Sequence, residues 1–268
     1  MKVLVIPDVH GRKFWREAVA SNVGKVDKII FLGDYLDPYH NEIEENPESM
    51  ECEFFGDSDG LLRMLEDIVG LKKNEPEKYI LLTGNHTDSY IWSRFNAATR
   101  TDGKHWEEYH NFFLENLNLF NLVYIQDDVI FSHAGILEGW AQRVWECLEY
   151  PNDELSSVSE IATMFQDTPL SDFNEHYIKV ISDISHYRYG DMFYGSSEWA
   201  DLREHIDIEN STPDNIIPKG EEGLYQVFGH TQLKLPLITN KWACLDCRKG
   251  FIIDTLTHSI EDGSDSSL

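Results

Sequence analysis

Lys2-Val3-Leu4-Val5-Ile6-Pro7-Asp8-Val9-His10-Gly11 passes from an unbroken apolar run straight into a polar loop ending in glycine. An apolar run this short that stops abruptly reads as a buried strand feeding a loop. The same grammar recurs. Residues 28–32 form a second buried strand leading into Gly33-Asp34-Tyr35-Leu36-Asp37, and residues 79–82 a third leading into Thr83-Gly84-Asn85-His86. Between them, residues 13–23 read as a helix. A second helix, capped by Asp57 or Ser58, places Leu61, Leu62, Leu65, Ile68, Val69 and Leu71 on one face. Strand–helix alternation of this kind predicts an α/β core.

The second half turns to strands in succession, at 122–126, 129–132, 225–228, 242–245, 251–254 and 257–260. Between Gly135 and Gly229 lies a long, mostly helical block. Ser157-x-x-Glu160 is a capping-box pattern opening one helix there, and Ser171 can cap another running to Ile184. Strands needed to complete the sheet follow this block, so it reads as an insertion or cap, about 138–224, within a single domain of residues 1–260. Residues 261–268 read as a frayed tail. The acidic, aperiodic run 42–59 reads as a solvated loop.

The chain has 268 residues, 22 Lys and Arg against 48 Asp and Glu, and a formal charge of −26. Its 41% hydrophobic and 12% aromatic content is enough for a sizeable core and excludes wholesale disorder. The charge argues against an extended nucleic-acid surface or an anionic membrane surface, where Lys and Arg supply most non-specific affinity. An anionic substrate must therefore be attracted locally, against the global field, and a metal site is one candidate. The apolar run Val3–Ile6 stops at Pro7 and Asp8, too short for a signal-peptide core or a span, and no later stretch reaches the roughly 18 apolar residues that a spanning helix needs. Cys52, Cys147, Cys244 and Cys247 do not make a disulfide scaffold in a chain this long. Cytoplasmic localisation is the expectation; oligomeric state is not encoded in any pattern.

The chemistry-bearing residues fall just after predicted strands, where open α/β sheets place their ligands. They are Asp8-x-His10-Gly11, Gly33-Asp34-x-x-Asp37, Gly84-Asn85-His86, Ser132-His133-Ala134-Gly135 and Gly229-His230-Thr231. If the first strand continued, Asp8 and His10 would project from one face toward one ion. One such cluster arises by chance in many proteins, whereas five in this order, each at a strand end, do not. Cys244-x-x-Cys247 sits in an apparent strand with no second cysteine pair, so these read as structural cysteines rather than zinc ligands. His40 lies near enough to the Gly33–Asp37 motif to reach a site there. Trp106, Tyr109, Phe112 and Phe113 read as core packing.

In these motifs the sequence resembles the calcineurin-like metallophosphoesterase superfamily, closest to the phosphoprotein-phosphatase branch and its bacterial and phage relatives. The resemblance runs from Lys2 to about Ile260 and implies a four-layer αββα sandwich of two mixed β-sheets with flanking helices. It implies two divalent metal ions, manganese first, with iron, zinc or nickel as alternatives. Asp8 and His10 would bind the first ion, Asp34 would bridge both, and Asn85, His133 and His230 would complete the second site. His86 would be the general acid, oriented by Asp37. Carboxylate, imidazole and amide ligands suit such ions better than thiolates would. Two cations some 3.5–4 Å apart can clamp a phosphoryl group and activate water.

Two departures bear on the substrate. Many phosphodiesterases of the superfamily continue the last motif as G-H-x-H, but here Thr231-Gln232 follow His230, which tilts the reading toward phosphomonoesters or anhydrides. An Arg usually follows G-D-x-x-D in the phosphatase branch, and Pro38 stands there instead. Arg188, in Tyr187-Arg188-Tyr189-Gly190, and Arg94 are the candidate phosphate-binding donors. The expected function is metal-dependent phosphomonoester hydrolysis, on a phosphorylated small molecule, nucleotide or phosphoprotein. Alternatives are a symmetrical dinucleoside tetraphosphate hydrolase, a phosphodiesterase, and a catalytically silent scaffold of the same fold.

Overall fold

The computed structural model describes residues 1–39, 58–92, 98–148, 158–206 and 224–263. The first elements are β1 (Lys2–Ile6), α1 (Phe14–Asn22), β2 (Lys28–Phe31), α2 (Ser58–Asn74), β3 (Tyr79–Leu82), α3 (Asn85–Ile91), α4 (Trp106–Glu115) and β4 (Phe120–Asn121). Next come β5 (Val123–Gln126), β6 (Val129–Ser132), α5 (Glu138–Cys147), α6 (Val158–Asp167) and α7 (Glu175–Ile181). The last are β7 (Tyr225–Phe228), β8 (Leu237–Ile238), β9 (Trp242–Cys244), β10 (Phe251–Asp254) and β11 (Ser259–Asp262). Two mixed sheets and seven α-helices among the described residues confirm the α/β class.

The chain divides into two compact units, Met1–Phe120 with Arg248–Leu268, and Asn121–Cys247. The first unit is built on a six-stranded sheet in the order β11-β10-β1-β2-β3-β4. β1, β2 and β3 run parallel, with Ile6 opposite Phe31 and Phe31 opposite Leu81, so their C-terminal ends share one edge of the sheet. β10 lies antiparallel to β1, and β11 to β10. Val3 through Ile6 have no solvent exposure, as expected of a strand covered on both faces. α1 packs on β1 and buries Trp15, Ala18, Val19 and Asn22, one stripe at helical spacing. α2 packs on β3 through Leu61, Met64, Leu65, Ile68 and Val69, while Leu62 and Leu71 are only half-buried.

The second unit holds a five-stranded sheet in the order β5-β6-β7-β9-β8. β6, β7 and β9 are parallel, and β5 and β8 are antiparallel edges. α6 packs on β5, and α5 packs against both α6 and α7. The buried residues of α6, Val158, Ile161, Ala162 and Phe165, again fall at i, i+3, i+4 and i+7.

Several local expectations are corrected. The helix expected from Ser171 begins later: Leu170–Asp172 is a 3₁₀ turn, and Asn174 is the cap. Its side chain accepts from the backbone N–H groups of His176 and Tyr177, and an Asn acceptor placed after the turn displaces the Ser signal. The short strands β4 and β8 have no alternating pattern of their own and are held by pairing. The last strand is Ser259–Asp262 instead of 257–260, so Glu261 and Asp262, expected in the frayed tail, pair with Ile252 and Phe251. β9 ends at Cys244, so Cys247 lies beyond the strand; both are free thiols. The caps expected at Asp57, Ser58 and Ser157, the acidic run 42–57, His40, Arg94 and residues 264–268 lie outside the described residues and side chains.

Candidate active site

All five motifs sit at or just past the C-terminal ends of parallel strands: three after β1, β2 and β3 in the first unit, two after β6 and β7 in the second. In the first unit β1 does not continue to Asp8, and the two motif side chains are brought together by a turn instead. His10 takes a left-handed backbone (φ 44°) and its N–H donates to Asp34 O at 2.7 Å, while Gly11 N–H donates to Tyr35 O at 2.9 Å. The loops after β1 and β2 are thereby zipped together. Asp34 and Asp37 are also left-handed, with φ of 46° and 62°. Such conformations cost a non-glycine residue free energy and persist only where the surroundings over-determine them. Gly33 has no alternative: at φ 110°, an added Cβ would lie 2.2 Å from Thr83 O. That contact presses the second motif against the third.

Asp8, His10, Asp34, Asp37, Asn85 and His86 are all buried. His10 Nδ1 lies 2.7 Å from Leu36 O and donates to it. Its Nε2 is then the lone-pair nitrogen, and it sits 3.9 Å from Asp8 Oδ2 and 3.7 Å from Asp34 Oδ2. Burial first, then the neighbouring His86, lowers the His10 pKa well below the usual imidazole range, with Asp34 opposing. His10 Nε2 and the two carboxylates form a group of N and O donors that can hold a cation. One potential ligand atom each from His10, Asp34 and His86 lie within 4.8 Å of one another, so a divalent ion held by His10 and Asp34 would have the His86 ring beside it.

His86 is held from three sides. Its backbone N–H donates to Asp34 Oδ1 at 2.9 Å. Its Nδ1 donates to Asp37 Oδ2 at 2.6 Å, and Tyr90 Oη donates to Asp37 Oδ1 at 2.5 Å. Tyr90 Oη in turn accepts from the backbone N–H of Asp102 at 2.8 Å. Burial pushes the Asp37 carboxyl up from its ordinary range, against the hydrogen bonds from His86 and Tyr90; burial and the adjacent Asp37 push the Tyr90 phenol up as well.

The motifs do not reach Tyr90, Tyr39 or Arg100. Tyr90 is four residues after His86 on α3, and that i, i+4 spacing is the signal that could have found it. Arg100, left-handed at φ 66°, places Nη2 3.4 Å from His86 Nε2 and donates from Nε to Asp37 O at 3.2 Å. Its guanidinium lies 3.7 Å from the centre of the Tyr39 ring, which also meets His10 edge-on at 5.0 Å. No periodicity marks Arg100 in the sequence.

In the second unit His133 and His230 are buried, with His133 Nε2 3.1 Å from His230 Nδ1. Two imidazole nitrogens facing each other at this distance must share either a proton or a cation. His230 is left-handed, with φ 62°. Arg188 lies beside the residue that follows His230: its Nη2 donates to Thr231 Oγ1 at 2.7 Å and its Nε lies 2.7 Å from Asp201 Oδ2. Although burial opposes it, hydrogen bonds from Arg203 and the charge of Arg188 hold the Asp201 carboxyl below its ordinary range. Arg188 is thus beside the last motif but already charge-paired.

A family model described as calcineurin-like phosphoesterase matches residues 1–231. A search of curated proteins finds no match. Among solved structures, a cold-active protein-tyrosine phosphatase of a psychrophilic Shewanella species aligns with a TM-score of 0.58 at 13% identity, covering 97% of this chain and 80% of that one. A structure of a cold-active protein tyrosine phosphatase at 1.1 Å aligns with a TM-score of 0.55 at 15% identity, covering 97% and 78%. At these identities the likeness is one of fold. No helix among the described residues is long and apolar enough to cross a membrane. The family match, with buried His and Asp groups at the ends of parallel strands as candidate ligands, supports phosphoester hydrolysis at a metal centre. The chain belongs to the calcineurin-like phosphoesterase family.

Proposed function

We propose that this protein is a phosphomonoester hydrolase that uses two divalent metal ions. Asp8, His10, Asp34 and Asn85 of the first unit and His133 and His230 of the second would be the metal ligands. When bound, such ions polarise the phosphoryl group and supply a water nucleophile at neutral pH, and manganese is the metal to test first. The remaining work belongs to the chain. Asp37 fixes His86 with a proton on Nδ1, so the ring presents Nε2 as the atom that exchanges a proton with the leaving oxygen. Tyr90 keeps the Asp37 carboxylate in place from its other oxygen.

The observation that carries this reading is the buried Tyr90–Asp37–His86 relay set directly against the His10–Asp34 donor cluster. Thr231 and Gln232 in place of a second histidine support the monoester tilt. The test is hydrolysis of a chromogenic phosphomonoester beside the matching diester, with Mn²⁺ and with a chelator control. Monoester turnover abolished by the chelator is expected, and a clear diester preference would overturn the substrate assignment.

A dinucleoside tetraphosphate is the second reading. The side chains around Arg188 favour it: Tyr189 and Phe193 are largely exposed, and His186 packs against Tyr187 and Phe193. Release of two nucleoside diphosphates from a symmetrical tetraphosphate is its diagnostic product.

A further inference from the structure

We infer that Arg100 grips the outer oxygens of the substrate phosphoryl group and thereby selects a terminal, dianionic phosphate. This rests on the hydrolase reading above. In a chain where acids outnumber Lys and Arg by 48 to 22, an arginine beside the reactive imidazole is expected to hold a carboxylate, yet among the described residues Arg100 has no carboxylate partner. Its hydrogen-bond partners among the described residues are uncharged acceptors: the Asp37 carbonyl, the Thr99 hydroxyl at 3.1 Å and the His86 ring at 3.4 Å. Among the described residues no carboxylate directly compensates the positive charge of the fork. Arg188, by contrast, is paired with Asp201.

Arg100 is also preorganised. Its guanidinium lies over Tyr39 at 3.7 Å, a cation–π contact that fixes the plane of the fork. The contact to His86 is at the outer edge of hydrogen-bonding range, and an anionic oxygen is a far stronger acceptor than an imidazole nitrogen. An arriving phosphoryl oxygen takes Nη2 and leaves His86 Nε2 clear to face the leaving oxygen. A second ester group on the phosphorus would remove one of the two charges the fork attracts, so diesters gain less from it. The left-handed backbone of Arg100 is consistent with a residue held for its side chain rather than for its local fold.

The experiment compares the full-length wild type with Arg100→Gln and Arg100→Lys, all loaded with Mn²⁺. The readouts are the dissociation constant of inorganic phosphate by calorimetry, kcat/KM for a monoester and its matching diester, bound metal and melting temperature. Arg100→Gln should weaken phosphate binding by at least about tenfold and lower monoester kcat/KM by about 10²-fold, as expected for a lost charge-assisted pair. The diester loss should be smaller, Arg100→Lys should be intermediate, and metal content should stay unchanged. Phosphate affinity within about twofold of wild type in a metal-replete variant overturns the inference, as does a wild type that binds no phosphate. If Arg100→Gln loses metal or fold, Arg100→Lys decides by the same phosphate criterion. Wild-type phosphate binding without hydrolysis of either ester sinks the hydrolase reading alone. Monoester turnover and phosphate affinity unaltered in the variants sink Arg100 alone.

Discussion

Replacing His86 with alanine removes an imidazole whose Nδ1 is anchored to Asp37 while the backbone N–H that meets Asp34 remains. Turnover of a substrate with a poor leaving group should fall by about 10²–10⁴-fold. Metal content, read by elemental analysis, should hold. A leaving group that needs no proton should be spared, and an equal loss on both substrates would reassign His86 from acid to ligand. Tyr90→Phe acts one bond further away. It strips Asp37 Oδ1 of its donor, so a buried carboxylate becomes harder to ionise, and stability should drop by about 1–3 kcal/mol in a denaturant titration. Because burial already raises the Asp37 pKa, losing the Tyr90 bond raises it further. The acidic limb of the kcat/KM profile should therefore move to higher pH, and an unmoved limb would show that Asp37 does not titrate in catalysis. At this scale the motif residues were legible because each lies within a few residues of a strand end. Tyr90 was half legible through its helical spacing, and Arg100 was not legible, since its role comes from where the chain after α3 returns.

Elements impose the geometry that residues exploit. In the second unit a 3₁₀ turn, Leu202–Glu204, delivers His205 into full burial, where Nε2 donates to Ala134 O at 3.0 Å and the ring stacks on Phe228 at 4.6 Å. Among the described residues nothing hydrogen-bonds its Nδ1, and burial lowers the pKa to about 4 despite the Ala134 bond. The unfolded chain has an ordinary imidazole near 6.5, so it binds the proton first as pH falls. The stability due to a neutral His205 is present above about pH 6.5 and is lost as pH falls toward 4. Between pH 7.5 and pH 4.5 wild type should lose about 2.5 kcal/mol relative to His205→Gln. Unfolding free energies of the two proteins at both pH values check this, and parallel curves would contradict it. Strand positions were largely readable because fully buried parallel strands must be short apolar runs. The Asn174 cap and the two-residue strands β4 and β8 were not, since competing caps and pairing partners decide them.

The whole molecule carries a formal charge of −26, and bound divalent cations would act on stability as well as on chemistry. Any ion that binds only the folded chain stabilises it by mass action, about 2.7 kcal/mol at a hundredfold excess over its dissociation constant. Addition of Mn²⁺ should raise the melting temperature and a chelator should return it, while monovalent salt at matched ionic strength should not reproduce the shift. Equal effects from the two salts would reduce the metal term to simple charge screening. The α/β class and the loops that carry the five motifs could be read directly from the order of residues, because hydrophobic runs and the turns that end them are local. The joining of His10 to Asp34, of Tyr90 to Asp37, of Arg100 to His86 and of Arg188 to Thr231 could not. Those contacts span 14 to 53 residues and pass through left-handed backbone at His10, Asp34, Asp37 and Arg100. Such conformations are locally unfavourable, so no local signal announces them, and packing of the folded chain alone holds them in place.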